Sequence, residues 1–142
     1  MGRRAALKPS SAAEQRARRI RFQSRGDAVD AEDERAVFLL NAILKRAVQE
    51  GCSGIHLEKS DGDICVRFRI GGALQERPAP PKASSDALLA RIKHLAKLDV
   101  EERRLPQEGQ FSIKVQNRVI VVRVSAIGTE FGERVVLRLM TA

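Results

Sequence analysis

Asp61-Gly62-Asp63-Ile64-Cys65-Val66-Arg67-Phe68-Arg69-Ile70-Gly71-Gly72 reads as one strand held between two tight turns. Ile64, Val66, Phe68 and Ile70 fall on one face, with Cys65, Arg67 and Arg69 on the other, the period-2 alternation of a half-buried strand. Asp-Gly before it and Gly-Gly after it are the dipeptides that two-residue hairpins favour, because both central residues need positive φ. Neighbouring strands on both sides are therefore antiparallel. Upstream, Ile55 and Leu57 alternate with His56 and Glu58 as a short strand. Downstream, residues 73–76 form another, and Pro78, Pro80 and Pro81 stop the sheet with a stiff connector.

Two helices and three more strands complete the pattern. Val37, Leu40, Leu44 and Ala47, widened by Ile43 and Val48, form an amphipathic stripe, with Gly51 suited to the C′ position. Ser84, Ser85 or Asp86 can cap a second helix whose stripe is Leu88, Ile92 and Leu95, running down to Leu98. Residues 101–110 read as a charged loop. Strands are expected over 111–115, 118–127 and 134–140, with a Gln116-Asn117 turn between the first two and a loop at 128–132. The order αβββαβββ contains no repeated βαβ crossover. It specifies an α+β fold, with a mainly antiparallel sheet and its helices on one face.

The 142 residues suffice for one domain with one core. The longest apolar runs, such as residues 36–40, are about five long, against roughly 20 needed to span a bilayer. Arg3 and Arg4 are followed by a short apolar stretch and then Lys8-Pro9, with no h-region of a signal peptide. The expected compartment is the cytoplasm. Net charge is +8, unevenly spread. Residues 1–26 carry a balance of +7 and residues 27–35 one of −4. With few large apolar side chains, residues 1–35 read as a basic then acidic flexible or marginally helical arm, and 36–142 as the domain. A basic arm suits anionic partners, including a membrane surface. It carries almost no aromatic residues for stacking on bases, so nucleic acid is not the expected partner.

Several chemistries find no support. No G-x-x-x-x-G-K-[ST] loop occurs, and Gly71-Gly72 links strand to strand instead of strand to helix. Cys52, Cys65, His56 and His94 have no metal-ligand spacing, and nothing marks a nucleophile with its base. No complete catalytic site is expected, and no metal site. What stands out is two arginines on otherwise aliphatic strands. Arg123 lies between Val122 and Val124, and Arg138 between Leu137 and Leu139. With the aliphatic neighbours turned to the core, both guanidinium groups point outward from neighbouring strands. Planar, permanently charged forks suit phosphate oxygens or carboxylates. The same pattern also describes an ordinary solvated sheet face.

Longer stretches carry a resemblance. Cys52-Ser53-Gly54-Ile55-His56-Leu57-Glu58, Val66-Arg67-Phe68-Arg69-Ile70-Gly71-Gly72 and the run 91–109, which ends Arg104-Leu105-Pro106-Gln107-Glu108-Gly109, resemble the second N-terminal domain of the type II secretion and type IV pilus assembly ATPases. Arg123-Val124-Ser125 and Gly132-Glu133-Arg134-Val135-Val136-Leu137-Arg138-Leu139 extend the likeness over residues 36–140. The resemblance implies a PAS-like domain preceding a RecA-like ATPase domain in a cytoplasmic hexamer, which works with inner-membrane platform components of the secretion or pilus machine. It further implies that Arg123 and Arg138 reach the phosphates of ATP held by that ATPase domain, through which alone Mg2+ would enter. The sequence departs from the family in several places. The family usually has Asp at the Gly54 position, Asp-Gly at Gly71-Gly72, Pro-Gln-Asp-Gly-Arg at residues 106–110, and Asp at Val121. The family's Walker motifs are not among these 142 residues, so the chain reads either as a fragment or as a domain without its motor. The implied function is a nucleotide-responsive regulatory domain of a secretion or pilus ATPase, with a role as a stand-alone interaction adaptor as the alternative.

Overall fold

The computed structural model describes residues 27–141, with side chains from Asp33 onward. The strongly basic stretch 1–26 of the expected arm lies outside the described residues. The elements are α1 (Asp27–Gln49), β1 (Gly54–Ser60), β2 (Asp63–Ile70), β3 (Ala73–Arg77), a 3-10 turn (Lys82–Ser84), α2 (Ser85–Leu95), β4 (Gln107–Val115), β5 (Arg118–Gly128) and β6 (Gly132–Thr141). This is the expected αβββαβββ order. The six strands form one sheet in the order β3-β2-β1-β6-β5-β4, antiparallel at every pairing.

Local chemistry accounts for each boundary. α1 begins at Asp27, inside the stretch that the sequence assigns to an arm. Its sequence opens on the acidic run, a composition that the first turn of a helix favours. Its buried stripe is Ala36, Leu40, Leu44 and Ala47. The helix stops at Gly51, whose φ of 69° lets the amide of Cys52 return to the Ala47 carbonyl at 2.9 Å. α2 ends at Leu95, short of the expected Leu98. Lys97 takes the left-handed conformation there, and the Leu98 amide bonds the Lys93 carbonyl at 2.8 Å. Asp61-Gly62, Gly71-Gly72 and Gln116-Asn117 all have positive φ at both residues, the turns read from their dipeptides.

One element differs more. β4 starts at Gln107, four residues inside the expected charged loop. Polar composition hid it, because Gln107 spends its side-chain amide on the preceding segment: it accepts from the Asp99 amide at 2.8 Å and donates to the Asp99 carbonyl at 3.0 Å. Gly109 then passes directly beneath the Ala96 carbonyl, where any Cβ would overlap that oxygen.

The core lies on one face of the sheet. Ile55, Leu57, Val66, Phe68, Val122, Val124, Val135 and Leu137 are nearly inaccessible and share one cluster with Leu40 and Leu44 of α1 and Leu88 and Ile92 of α2. Each such side chain stabilises the fold by about 1.5–3 kcal/mol relative to exposure. The opposite face has no helix among the described residues, and most polar strand residues project from it, whereas Lys59, Arg77 and Glu133 turn to the helix side.

Candidate functional site

The β5–β6 register sets Arg123 directly opposite Arg138. On both strands the alternation holds: Val122, Val124 and Leu137 are buried, while both arginines are exposed on the face away from the core. Among the described residues neither guanidinium makes a hydrogen bond or an ion pair. Like charges placed directly opposite destabilise a strand pair. An anion between them removes that repulsion.

A groove of about 370 Å³ opens at this pair, lined by Glu108, Gly109, Gln110, Arg123, Val124, Ser125, Val136 and Arg138. Register places Gln110 opposite Arg123, and Ser125 between Glu108 and Val136. Two cationic forks, an amide and a hydroxyl are therefore assembled around one space, a donor set suited to oxyanions. Glu108 is the one carboxylate in the lining.

The adjoining part of the face is partly neutralised. Glu58 on β1 lies 3.3 Å from Arg134 and 3.9 Å from Arg67. His56, opposite Arg67 and Val136, is partly buried. Burial pushes its pKa below the ordinary histidine value; Arg69, Arg134 and Arg67 act in the same direction, against Glu58. Its ring is therefore held neutral beside a cationic surface.

The remaining sequence candidates have structural surroundings. Cys52 is buried and its thiol donates to the Gly54 carbonyl at 2.8 Å, while Cys65 approaches Glu76 at 3.7 Å. Burial is the main cause that raises both thiol pKa values. His94 is exposed on α2. Among the described residues no three His, Cys, Asp or Glu side chains gather as metal ligands, and no helix is long and apolar enough to cross a membrane.

One cluster was missed from sequence. Lys93, 1% exposed, makes an ion pair with Glu133, 7% exposed, and also donates to the Glu102 carbonyl at 2.9 Å. The ammonium thus ties α2 to the 99–106 segment and to the start of β6, the strand that carries Arg138. A signal existed. Lys93 falls in the helical stripe Leu89, Ile92, Lys93 and Ala96, and Glu133 shares strand parity with Val135 and Leu137. Two opposite charges each occupied a position that faces the core.

Fold and site together define an α+β domain whose open sheet face presents unneutralised arginine forks. Comparison with known proteins gives that domain a family: the family described as Type II/IV secretion system protein matches residues 29–142, and the chain belongs to it. It is 42% identical over 115 residues to the type II secretion system ATPase E of Vibrio cholerae, covering 80% of this chain and 23% of that protein. Identity to the type II secretion system protein HxcR of Pseudomonas aeruginosa is 44% over 115 residues, covering 80% and 24% respectively. A putative type II secretion system protein E of Escherichia coli is 44% identical over 102 residues, covering 72% of this chain and 21% of the relative. The chain spans about a quarter of the length of these relatives.

Proposed function

We propose that this chain is a nucleotide-responsive regulatory domain of a type II secretion ATPase, or of a related pilus assembly ATPase. In this reading it lends Arg123 and Arg138 to the phosphates of an ATP held by a separate RecA-like domain. The opposed arginines, unpaired among the described residues, carry the reading, since an anion between them offsets their repulsion. ATP and its Mg2+ are held by the RecA-like domain, and the forks of this domain approach from the side of the terminal phosphate. The arrangement requires assembly in a cytoplasmic ring on the inner-membrane platform of the machine, with a PAS-like sheet as the scaffold that aims the two side chains.

The test uses the chain joined to its ATPase domain. Arg123→Ala and Arg138→Ala leave the core-facing residues of both strands untouched, so stability stays within about 0.5 kcal/mol. Hydrolysis falls steeply, toward the lower end of the roughly 10³–10⁵ that phosphate-contacting arginines contribute elsewhere. Lys at either position rescues poorly, because it keeps the charge and loses the two-pronged geometry. Unchanged hydrolysis with an intact fold refutes the role and makes both residues ordinary surface arginines.

A further inference from the structure

Gly54 opens β1, and the sheet places it between two arginines. It is opposite Arg69 of β2 on one side and opposite Arg138 of β6 on the other, while Arg138 is in turn opposite Arg123. One cross-strand row on the open face therefore reads Arg69, Gly54, Arg138, Arg123 and Gln110. At about 4.8 Å per strand, the row spans roughly 14 Å from Arg69 to Arg123 at the backbone. It holds three guanidinium groups and no carboxylate.

The contrast with Glu58, four residues along the same face of β1, is informative. There β1 supplies an acid, which the two arginines around it, Arg67 and Arg134, share. At position 54 it supplies no side chain at all. Among the described residues the Arg69 guanidinium makes one hydrogen bond, from Nη1 to the Gly72 carbonyl at 3.1 Å, which leaves most of its five N–H groups for another acceptor.

The backbone does not demand glycine at this position. Gly54 is not among the glycines with positive φ. A Cβ there would meet only the Leu137 carbonyl oxygen, at an ordinary 3.5 Å. Glycine in a strand sacrifices chain entropy and side-chain packing, and it commonly marks close approach of a ligand. Gly54 is itself buried, and it places no side chain of its own between the two forks.

We propose that Gly54 and Arg69 form a second anion subsite continuous with Arg138 and Arg123. The open face then takes a linear oligophosphate, a chain of two or more phosphoryl groups, in preference to a single phosphate. This deepens the phosphate-contact reading and rests on it for Arg123 and Arg138, whereas Gly54 and Arg69 are added by the row itself. The recognised chemistry is the phosphate chain, whether it is the tail of a nucleoside triphosphate or an inorganic polyphosphate.

The experiment is an amide NMR titration of the full 142-residue chain at low salt with tripolyphosphate, ATP and orthophosphate. Tripolyphosphate and ATP should move the amides of Gly54, Arg69, Arg138 and Arg123 together and bind more tightly than orthophosphate. Arg69→Gln and Gly54→Asp should each weaken tripolyphosphate about tenfold, the loss expected for one charge-assisted contact. Gly54→Ala, with no charge, should stay within about threefold on the same scale. ATP binding more tightly than tripolyphosphate identifies the nucleotide tail as the preferred source of the chain; equal affinity identifies the chain alone, and either supports the proposal. If Arg69→Gln and Gly54→Asp leave affinity unchanged while Arg123→Gln or Arg138→Gln removes it, the second subsite is wrong and the two-arginine reading survives. Loss in the first two variants with none in the others breaks the continuity proposed here and removes the phosphate contact of Arg123 and Arg138. Absence of any shift at about 10 mM tripolyphosphate, where even millimolar affinity is saturating, overturns the oligophosphate site proposed here, while the two-arginine reading is decided by hydrolysis in the chain joined to its ATPase domain. Should Gly54→Asp fail to fold, Arg69→Gln decides alone.

Discussion

Lys93→Met should destabilise this domain more than any substitution on its open face. The ammonium is buried against Glu133 and the Glu102 carbonyl, and both acceptors lose their cation together. Gln107 Nε2 remains near the carbonyl at 3.4 Å, so the backbone oxygen keeps a weak donor. Glu133 keeps none from Lys93, and it is 7% exposed. Removing one partner of a buried pair costs about 3–5 kcal/mol, because the survivor is an uncompensated charge in a poorly solvated place. For a domain near 110 residues, each kcal/mol moves the melting temperature by about 4 °C, so Lys93→Met should lower it by roughly 12–20 °C.

The double variant Lys93→Met with Glu133→Leu separates this mechanism from simple loss of packing. With both charges gone and apolar volume in their place, most of the loss should return, since apolar replacements of buried pairs are often neutral or better. The assay is thermal and urea unfolding of the wild type, both single variants and the double, with the interaction energy taken from the cycle. A double variant as unstable as the sum of the singles would refute the reasoning. So would a Lys93→Met protein that melts with the wild type.

Two further outcomes follow from backbone proximity and from titration. Gly132→Ala drives a Cβ into the Lys59 carbonyl and should cost about 1–3 kcal/mol, as overpacking does, whereas Gly54→Ala meets only ordinary contact and should unfold within about 1 kcal/mol of wild type; equal melting temperatures would contradict the close strand approach. His56 should make stability fall as pH drops: its folded pKa is depressed, so the unfolded chain takes up the proton first below about 6.5, and the loss accumulates until the folded form also protonates. His56→Gln should flatten the slope of unfolding free energy between about pH 7 and 5, a window above the one in which Glu50, held low chiefly by hydrogen bonds from Arg46 and Arg77, loses its own contribution; an unchanged slope would remove the histidine as its source.

Much of this fold could be read from sequence because it is built from local hairpins. Asp61-Gly62, Gly71-Gly72 and Gln116-Asn117 set three turns, and period-2 alternation then fixed which side of each strand faces the core. The outward placement of Arg123 and Arg138 followed from the same parity. What escaped reading depended on distant partners. Residues 107–110 are too polar to announce a strand, and they become one because β5 offers its edge and Gly109 fits beneath Ala96. The start of α1 was hidden by an acidic run that composition assigns to an arm and the helix dipole favours in a first turn. The β1–β6 pairing joins segments far apart in sequence, so nothing local shows that Gly54, Arg69 and Arg138 share a row.

The central position of β6 explains how one surface can carry unneutralised charge without loss of order. β6 is hydrogen-bonded to β1 along one edge and β5 along the other, so the backbone of Arg138 is fixed from both sides. Its neighbours Leu137 and Leu139 pack into the core cluster, and at its start Glu133 is anchored to Lys93. The side-chain repulsion between Arg123 and Arg138 therefore acts against a strand pair over-determined by ladder bonds and burial, and it cannot relax by a shift of register. A one-residue slip of β6 would turn Leu137 and Val135 to solvent and Arg134 and Arg138 to the core. The two opposed guanidinium groups are consequently held in place at the surface.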